Sequence, residues 1–220
     1  MTAWIFGLEI AKEGWYSAIM APIFVASACD SGLALLMVVL AAVRKAGVFD
    51  CGRELFANLA RLLATFIAVD AFFIGCELLT TAYPGTEGAS HVLGIMTSGA
   101  TAPFFWFEIL GGLLIPFVLL ASAKRLERTG VVVAASALVM CGVFCKRVWL
   151  LFTSFTVTNV YGAPGISSGS TAARGADGFD MWALAGSYMP QPVEFAVVAA
   201  VVSFCILGIA LLSKKLVAKA

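Results

Sequence analysis

Charge is scarce in this chain. Of its 220 residues only 12% are Asp, Glu, Lys or Arg, against roughly 25% in an ordinary soluble domain. The formal net charge is +1, which leaves no electrostatic case for a nucleic-acid partner. Histidine is nearly absent as well. The single one, His91, lies in a loop between apolar runs, so no span offers the histidines with which a membrane cytochrome b holds haem. Six cysteines are present but form no CxxC pair and none of the clustered spacings that hold iron–sulfur centres. Cys29, Cys76, Cys141, Cys145 and Cys205 sit in apolar runs and Cys51 in a short basic loop. Cys141 and Cys145 share a helix face, and in such surroundings a cysteine behaves as a small hydrophobe. Residues 1–14 lack a basic start, an apolar core and a small-residue cleavage site, and do not read as a signal peptide.

What is abundant is apolar surface. Hydrophobic residues make up 61% of the chain and the mean hydropathy is +1.00, more than a water-facing fold can hide. A spanning helix needs about 20 apolar residues, and five stretches qualify: 16–43, 55–82, 102–123, 130–157 and 192–213. The expected fold is an all-α integral membrane protein, a five-helix bundle in a single membrane domain over 1–220 with no internal repeat. The connections "RKAGVFDCGR" (44–53) and "KRLER" (124–128) are basic, and the tail carries Lys214, Lys215 and Lys219. The segment 83–100 has no Lys or Arg, and 158–191 has only Arg174. Positive charge therefore alternates between connections, which predicts an N-terminus outside and a C-terminus in the cytoplasm. The loop "YGAPGISSGSTAARGADGFD" reads as a flexible linker or as a surface for a partner subunit.

Seven ionisable residues fall within or at the ends of the spans: Asp30, Asp70, Glu77, Glu108, Lys146, Arg147 and Glu194. Charges at membrane depth are rare and face the bundle interior, paired or lining a polar path. At about 1.5 Å per residue, Glu108 lies about 10 Å, and Lys146 and Arg147 about 15 Å, below the outer ends of their helices. Glu77 and Glu194 sit nearer that surface, and Asp30 and Asp70 lie near the midplane on consecutive helices. Lys146 and Arg147 point about 100° apart, so they need not share a partner. The expectation is that Glu108 pairs with one cation, that the other meets Glu77 or Glu194 or reaches toward the headgroups, and that these acids share one cluster. Two readings of the set stay open: a structural ion-pair network, or a proton path and polar wall for a redox-active lipid.

The stripe "ASACDSG" (26–32), with Gly111 and Gly112, permits close helix approach. Pro22 and Pro116 lie within spans, where each frees a carbonyl and permits a kink. Trp4, Trp15, Trp106, Tyr83, Tyr161, Trp182 and Tyr188 fall toward the outer side, as an aromatic belt would.

Four segments together resemble the polysulfide-reductase-type, NrfD-like membrane anchor family: "WYSAIMAPIFVASACDSGLALL" (15–36), "PFFWFEILGGLLIPFVLL" (103–120), "ASALVMCGVFCKR" (135–147) and "SYMPQPVEFAVVAAVVSFCILGIALLSKKL" (187–216). The resemblance rests on their order and spacing rather than on any one of them. It implies a membrane subunit that itself binds no cofactor and exchanges electrons between the quinone or menaquinone pool and an extrinsic iron–sulfur subunit. The catalytic partner it implies belongs to a molybdopterin or related redox complex in a bacterial or archaeal cytoplasmic membrane. Some relatives are thought to couple this to proton movement through buried charges. Family members have eight or more helices, and this chain resembles the C-terminal five, so the expectation is either a further membrane subunit supplying the missing helices or a shortened variant. Because the family's quinone site leans toward the missing half, no quinone-binding residues are assigned. Two other classes compete: a proton- or cation-conducting transporter component using Asp30, Asp70 and Glu108, and a purely structural anchor. The lack of paired broken helices in two repeats counts against a secondary transporter.

Overall fold

The computed structural model describes residues 2–9, 14–47, 52–122, 128–156 and 191–217. Among them the regular structure is helical, with no strand. A short helix α1, Thr2–Leu8, precedes the first long one, α2, Met20–Lys45. Helix α2 stops at Gly47, whose φ of +71° is the left-handed conformation that glycine adopts without strain, and Arg44 and Lys45 in its last turn complement the helix dipole. Helix α3 follows as Arg53–Ala82.

The predicted loop 83–100 is not a loop. It holds a helix, α4, Glu87–Ser98, capped by the Thr86 hydroxyl, which accepts from the Ala89 N–H. His91 is therefore an exposed helical residue. Its polar spacing of Thr, Ser and His hid a helix too short to span a bilayer but able to lie across the bundle end. The third span runs Ala102–Leu120 and is interrupted. It begins as α5, Ala102–Trp106, widens into a π-helical segment, Phe107–Leu114, and resumes as α6, Ile115–Leu120. Pro116 has no N–H to return to the turn before it, and this loosened ladder sits at the end of the π segment. Helix α7 is Thr129–Thr156 and α8 is Pro192–Val217.

Five helices are thus long and apolar enough to cross a membrane, at nearly the positions expected. Four of them form one bundle: α2 lies between α3 and α7, and α7 also runs along the π segment and α6. Across the closest approach Gly112 and Gly142 face each other; a Cβ on Gly142 would collide with the Gly112 Cα. Contact this close is what small residues allow between membrane helices. Helix α8 is the exception. None of its most apolar stretch is buried, and it makes no extensive contact with the other described helices. Residues 158–190 of the long loop, with Tyr161, Trp182 and Tyr188 of the expected belt, lie outside the described residues, as does most of 124–128.

The bundle has two apolar cores. One is built on Ala34, Met37, Phe56, Ala60, Leu63, Ile67, Leu113, Leu120, Val132, Ala135 and Val139. The other, at the end carrying α1 and α4, is built on Met20, Met96, Phe105, Trp149 and Leu150. Along α2, α5–α6 and α7 the charged residues Asp30, Glu108 and Lys146 fall between the two sets, and on α3 Asp70 follows the Phe56–Ile67 stretch.

Candidate functional site

Each long helix of the bundle contributes to a single buried polar layer. Asp30 comes from α2, Asp70 from α3, Glu108 from the π segment and Lys146 from α7, and all four are almost completely excluded from the surface. The Lys146 ammonium is at the centre. Its Nζ donates to Asp70 Oδ2 at 2.5 Å and lies 3.1 Å from Glu108 Oε1. That second contact is an ion pair without the alignment of a hydrogen bond. The other oxygen of Glu108, Oε2, accepts a hydrogen bond from the indole N–H of Trp149. Trp149 and Lys146 are three apart, so one face of α7 presents both to Glu108. Phe105 holds the indole from the side, edge to face, with ring centroids 5.5 Å apart.

Asp30 is different. It is fully buried, yet neither of its carboxyl oxygens meets a hydrogen-bond donor among the described residues. Asp70 Oδ1 similarly meets none. The two carboxyls are neighbours, close enough to share a hydrogen bond once one of them carries a proton. Buried polar atoms are nearly always satisfied; here the two Asp30 oxygens, Asp70 Oδ1 and Glu108 Oε1 have no hydrogen-bond donor among the described residues. No group of three or more His, Cys, Asp and Glu side chains among the described residues is arranged as metal ligands would be; the Lys146 ammonium is the cation that these carboxyls surround.

The pairing differs from the sequence expectation in four ways. Glu108 does face Lys146, but the nearest acid to the ammonium is Asp70. Their depths are compatible, since at about 1.5 Å per residue Asp30 and Lys146 lie about 15 Å, and Asp70 about 18 Å, from the helix ends at the α4 face, but depth alone does not choose the partner. Glu77 is not in the ion-pair layer. It accepts a hydrogen bond from the Ser17 hydroxyl at 2.5 Å, one layer nearer the surface. Glu194 sits exposed in the first turn of α8 and lines neither the cluster nor the cavity beside it. Arg147 has no carboxylate partner among the described residues. Its guanidinium lies 4.0 Å from the centre of the Phe24 ring, a cation–π contact that an Arg makes readily, at the wall of an open crevice with Phe6, Val25 and Leu151.

A cavity of about 50 Å³ touches the cluster, lined by Lys146 and Trp149 on one side and by Glu77, Thr81 and Gly14 toward the surface. The chain belongs to the polysulphide reductase NrfD family. The match covers residues 1–159, and so contains every member of the polar layer. Similar proteins carry the names of redox-complex components. A dimethyl sulfoxide reductase membrane subunit of Halobacterium salinarum is 34% identical over 92% of this chain and 46% of its own length. A selenate reductase subunit of Mesobacillus selenatarsenatis is 28% identical over 79% of this chain and 39% of its own. An Hdr-like menaquinol oxidoreductase integral membrane subunit of Archaeoglobus fulgidus is 25% identical over 68% and 38%. The chain therefore spans less than half the length of these relatives. With five apolar helices and this family membership, it is a multi-pass integral membrane protein.

Proposed function

We propose that this chain serves as the membrane subunit of a respiratory oxidoreductase, passing electrons between a quinone or menaquinone pool and an extrinsic iron–sulfur subunit, with the buried cluster holding the protons of that reaction. The observation that carries the reading is the charge count of the polar layer. Three carboxyls surround one ammonium; fully ionised they would outnumber it in a medium that penalises uncompensated charge heavily, which gives the layer reason to hold protons of the kind a quinone reaction takes up and releases. A purely structural network would supply donors to its oxygens, whereas Asp30 meets none and gains a hydrogen bond only when a proton is taken up. Relatives whose names place them in reductase and menaquinol oxidoreductase complexes support the redox side of the reading.

In this reading Lys146 keeps the layer attractive to anionic carboxylates, Trp149 and Phe105 hold Glu108 in place, and Asp30 is the group free to change its proton. The partners in this reading are an iron–sulfur subunit and a catalytic subunit of a molybdopterin or related redox complex. The membrane is a bacterial or archaeal cytoplasmic membrane, with the α4 face outside and the C-terminus inside, as the basic connections argue. Purification in mild detergent tests this directly. The complex should bring down iron–sulfur and catalytic polypeptides and oxidise or reduce a menaquinone analogue, and Asp30→Asn should lower that turnover while the subunits remain assembled. A chain that purifies alone and conducts ions in liposomes would overturn it. An impermeant thiol probe should reach a cysteine at Ser168 from outside and one at Lys215 only from inside; the reverse pattern would invert the topology.

A further inference from the structure

We propose that the crevice beside Arg147 binds the phosphate of one net-anionic phospholipid from the α4 side of the bilayer, with an acyl chain laid along its apolar wall. The site lies outside the carboxyl layer and stands whether or not a quinone is the substrate. Lys146 and Arg147 are neighbours in sequence, but their charges part. The Lys146 ammonium turns inward to Asp70 and Glu108. The Arg147 guanidinium instead lies 4.0 Å from the centre of the Phe24 ring. Phe24 precedes Asp30 by six residues, so on α2 it stands about 9 Å nearer the α4 face. The side chain has run outward, as a long cation does when its backbone is held in an apolar layer.

What it reaches there is incomplete. A guanidinium carries five N–H donors and a permanent charge. Among the described residues Arg147 makes no hydrogen bond and no ion pair. The Phe24 ring offsets part of the charge but supplies no acceptor oxygen. The rest of the lining is Ala3, Phe6, Val25, Ala28 and Leu151, with no carboxylate. An unpaired charge in an apolar layer is costly, so the crevice calls for an anion. Lys146 and Arg147 are the only cations in the α4 half of the bundle among the described residues, and the carboxyl layer already holds the first.

The shape of the crevice favours a lipid. It opens away from the bundle: Val25 and Ala28, one turn apart on α2, are exposed, whereas Ile23, Ala26, Ser27 and Asp30 are buried. Its volume is about 430 Å³, within the roughly 300–1,000 Å³ of ligand-sized clefts. Helix α1 borders it, with Phe6 edge-on to Trp15 and stacked on Phe24, while Trp4, Ile5 and Leu8 are exposed. An exposed Trp on so apolar a helix suits the headgroup level. A phosphodiester there offers two oxygens that match the guanidinium fork, and Phe6, Val25, Ala28 and Leu151 suit a hydrocarbon chain. A quinone head is neutral and would leave the charge uncompensated. A choline or ethanolamine headgroup would bring a second cation to walls that hold no acid, so the lipid that fits carries net negative charge.

Native mass spectrometry of the intact chain, purified in mild detergent with its accompanying subunits, tests this with phosphatidylglycerol, phosphatidylcholine and inorganic phosphate as probes. One phosphatidylglycerol should be retained about 10-fold more tightly than phosphatidylcholine, the scale of one charge-assisted hydrogen bond. Inorganic phosphate at equal concentration should not displace it, because it lacks the chain. Arg147→Gln should abolish the preference. Val25→Trp, at an exposed position, should fill the crevice with the cation still present and abolish it too. Phe72→Ala, exposed on α3, should leave it unchanged. Equal retention of the two lipids, a preference that survives in either crevice variant, or displacement by inorganic phosphate or by a menaquinone analogue would overturn the proposal.

Discussion

The two ends of the bundle are built from the same helices yet solve different problems. Toward the far end, small and branched apolar residues of α2, α3, α6 and α7 close into a dry core around Ala34, Ala60, Leu63 and Val139. Toward the α4 face, aromatic and sulfur-containing side chains leave cavities, and hydroxyls and carboxyls line them. The cluster of Asp30, Asp70, Glu108 and Lys146 lies at the boundary. The difference shows how a membrane bundle confines charge: the apolar core closes one side of it, and the more loosely packed end with its cavities lies on the other. Lipid tails are as apolar as leucine, so the dry end is held by packing and dispersion rather than by hydrophobic expulsion.

The largest break should come at the boundary itself. Lys146→Met strands the carboxyls that face it and should cost about 3–5 kcal/mol of stability, the usual consequence of removing one member of a buried pair. Adding Asp70→Asn to it should cost less than the two single changes summed; denaturant unfolding in micelles measures both, and strict additivity would show that the pair is not coupled. In the dry core, Leu63→Ala should cost about 2–3 kcal/mol through the cavity it leaves, read by the same unfolding measurement.

Smaller effects sharpen the picture. Trp149→Phe keeps the ring against Phe105 but removes the donor to Glu108; a loss of about 1.5–2 kcal/mol is expected for a hydrogen bond to a charged group, with a shift in the Glu108 carboxyl infrared band. Gly142→Ala forces a methyl into the Gly112 backbone and should cost about 1–3 kcal/mol as an overpacked contact. Gly75→Ala, with nothing within 4 Å, should not destabilise and should gain about 0.5–1 kcal/mol from the better helix former in the interior of α3. Equal effects at the two glycines would deny the close helix crossing.

Much of this was legible in the residues. The five apolar runs and their limits survive nearly unchanged, because length and hydropathy decide whether a segment can span a bilayer. The match of Glu108 with Lys146 was also readable from helical rise. The choice of Asp70 as the nearest acid was not, since rise gives depth while rotation and interhelical distance decide which groups of similar depth meet. The π segment and the helix in 83–100 were missed for related reasons. One depends on how a proline-loosened span packs against α7, and the other on a polar, glycine-containing stretch that gains its order against α3, α5 and α7.

By itself the amino-acid sequence determined the solvent of this protein, the number of its spanning helices, the family it resembles and the depth of its buried charges. Hydropathy and rise per residue are local quantities, and each can be read along one segment at a time. The tertiary structure alone decided that four helices share one polar layer, that Asp30 meets no donor, that Arg147 rests on Phe24, and that Glu77 stands between two cavities. Those are relations between segments, set by where Gly112 and Gly142 let α7 and the third span touch, and no single run of residues carries them.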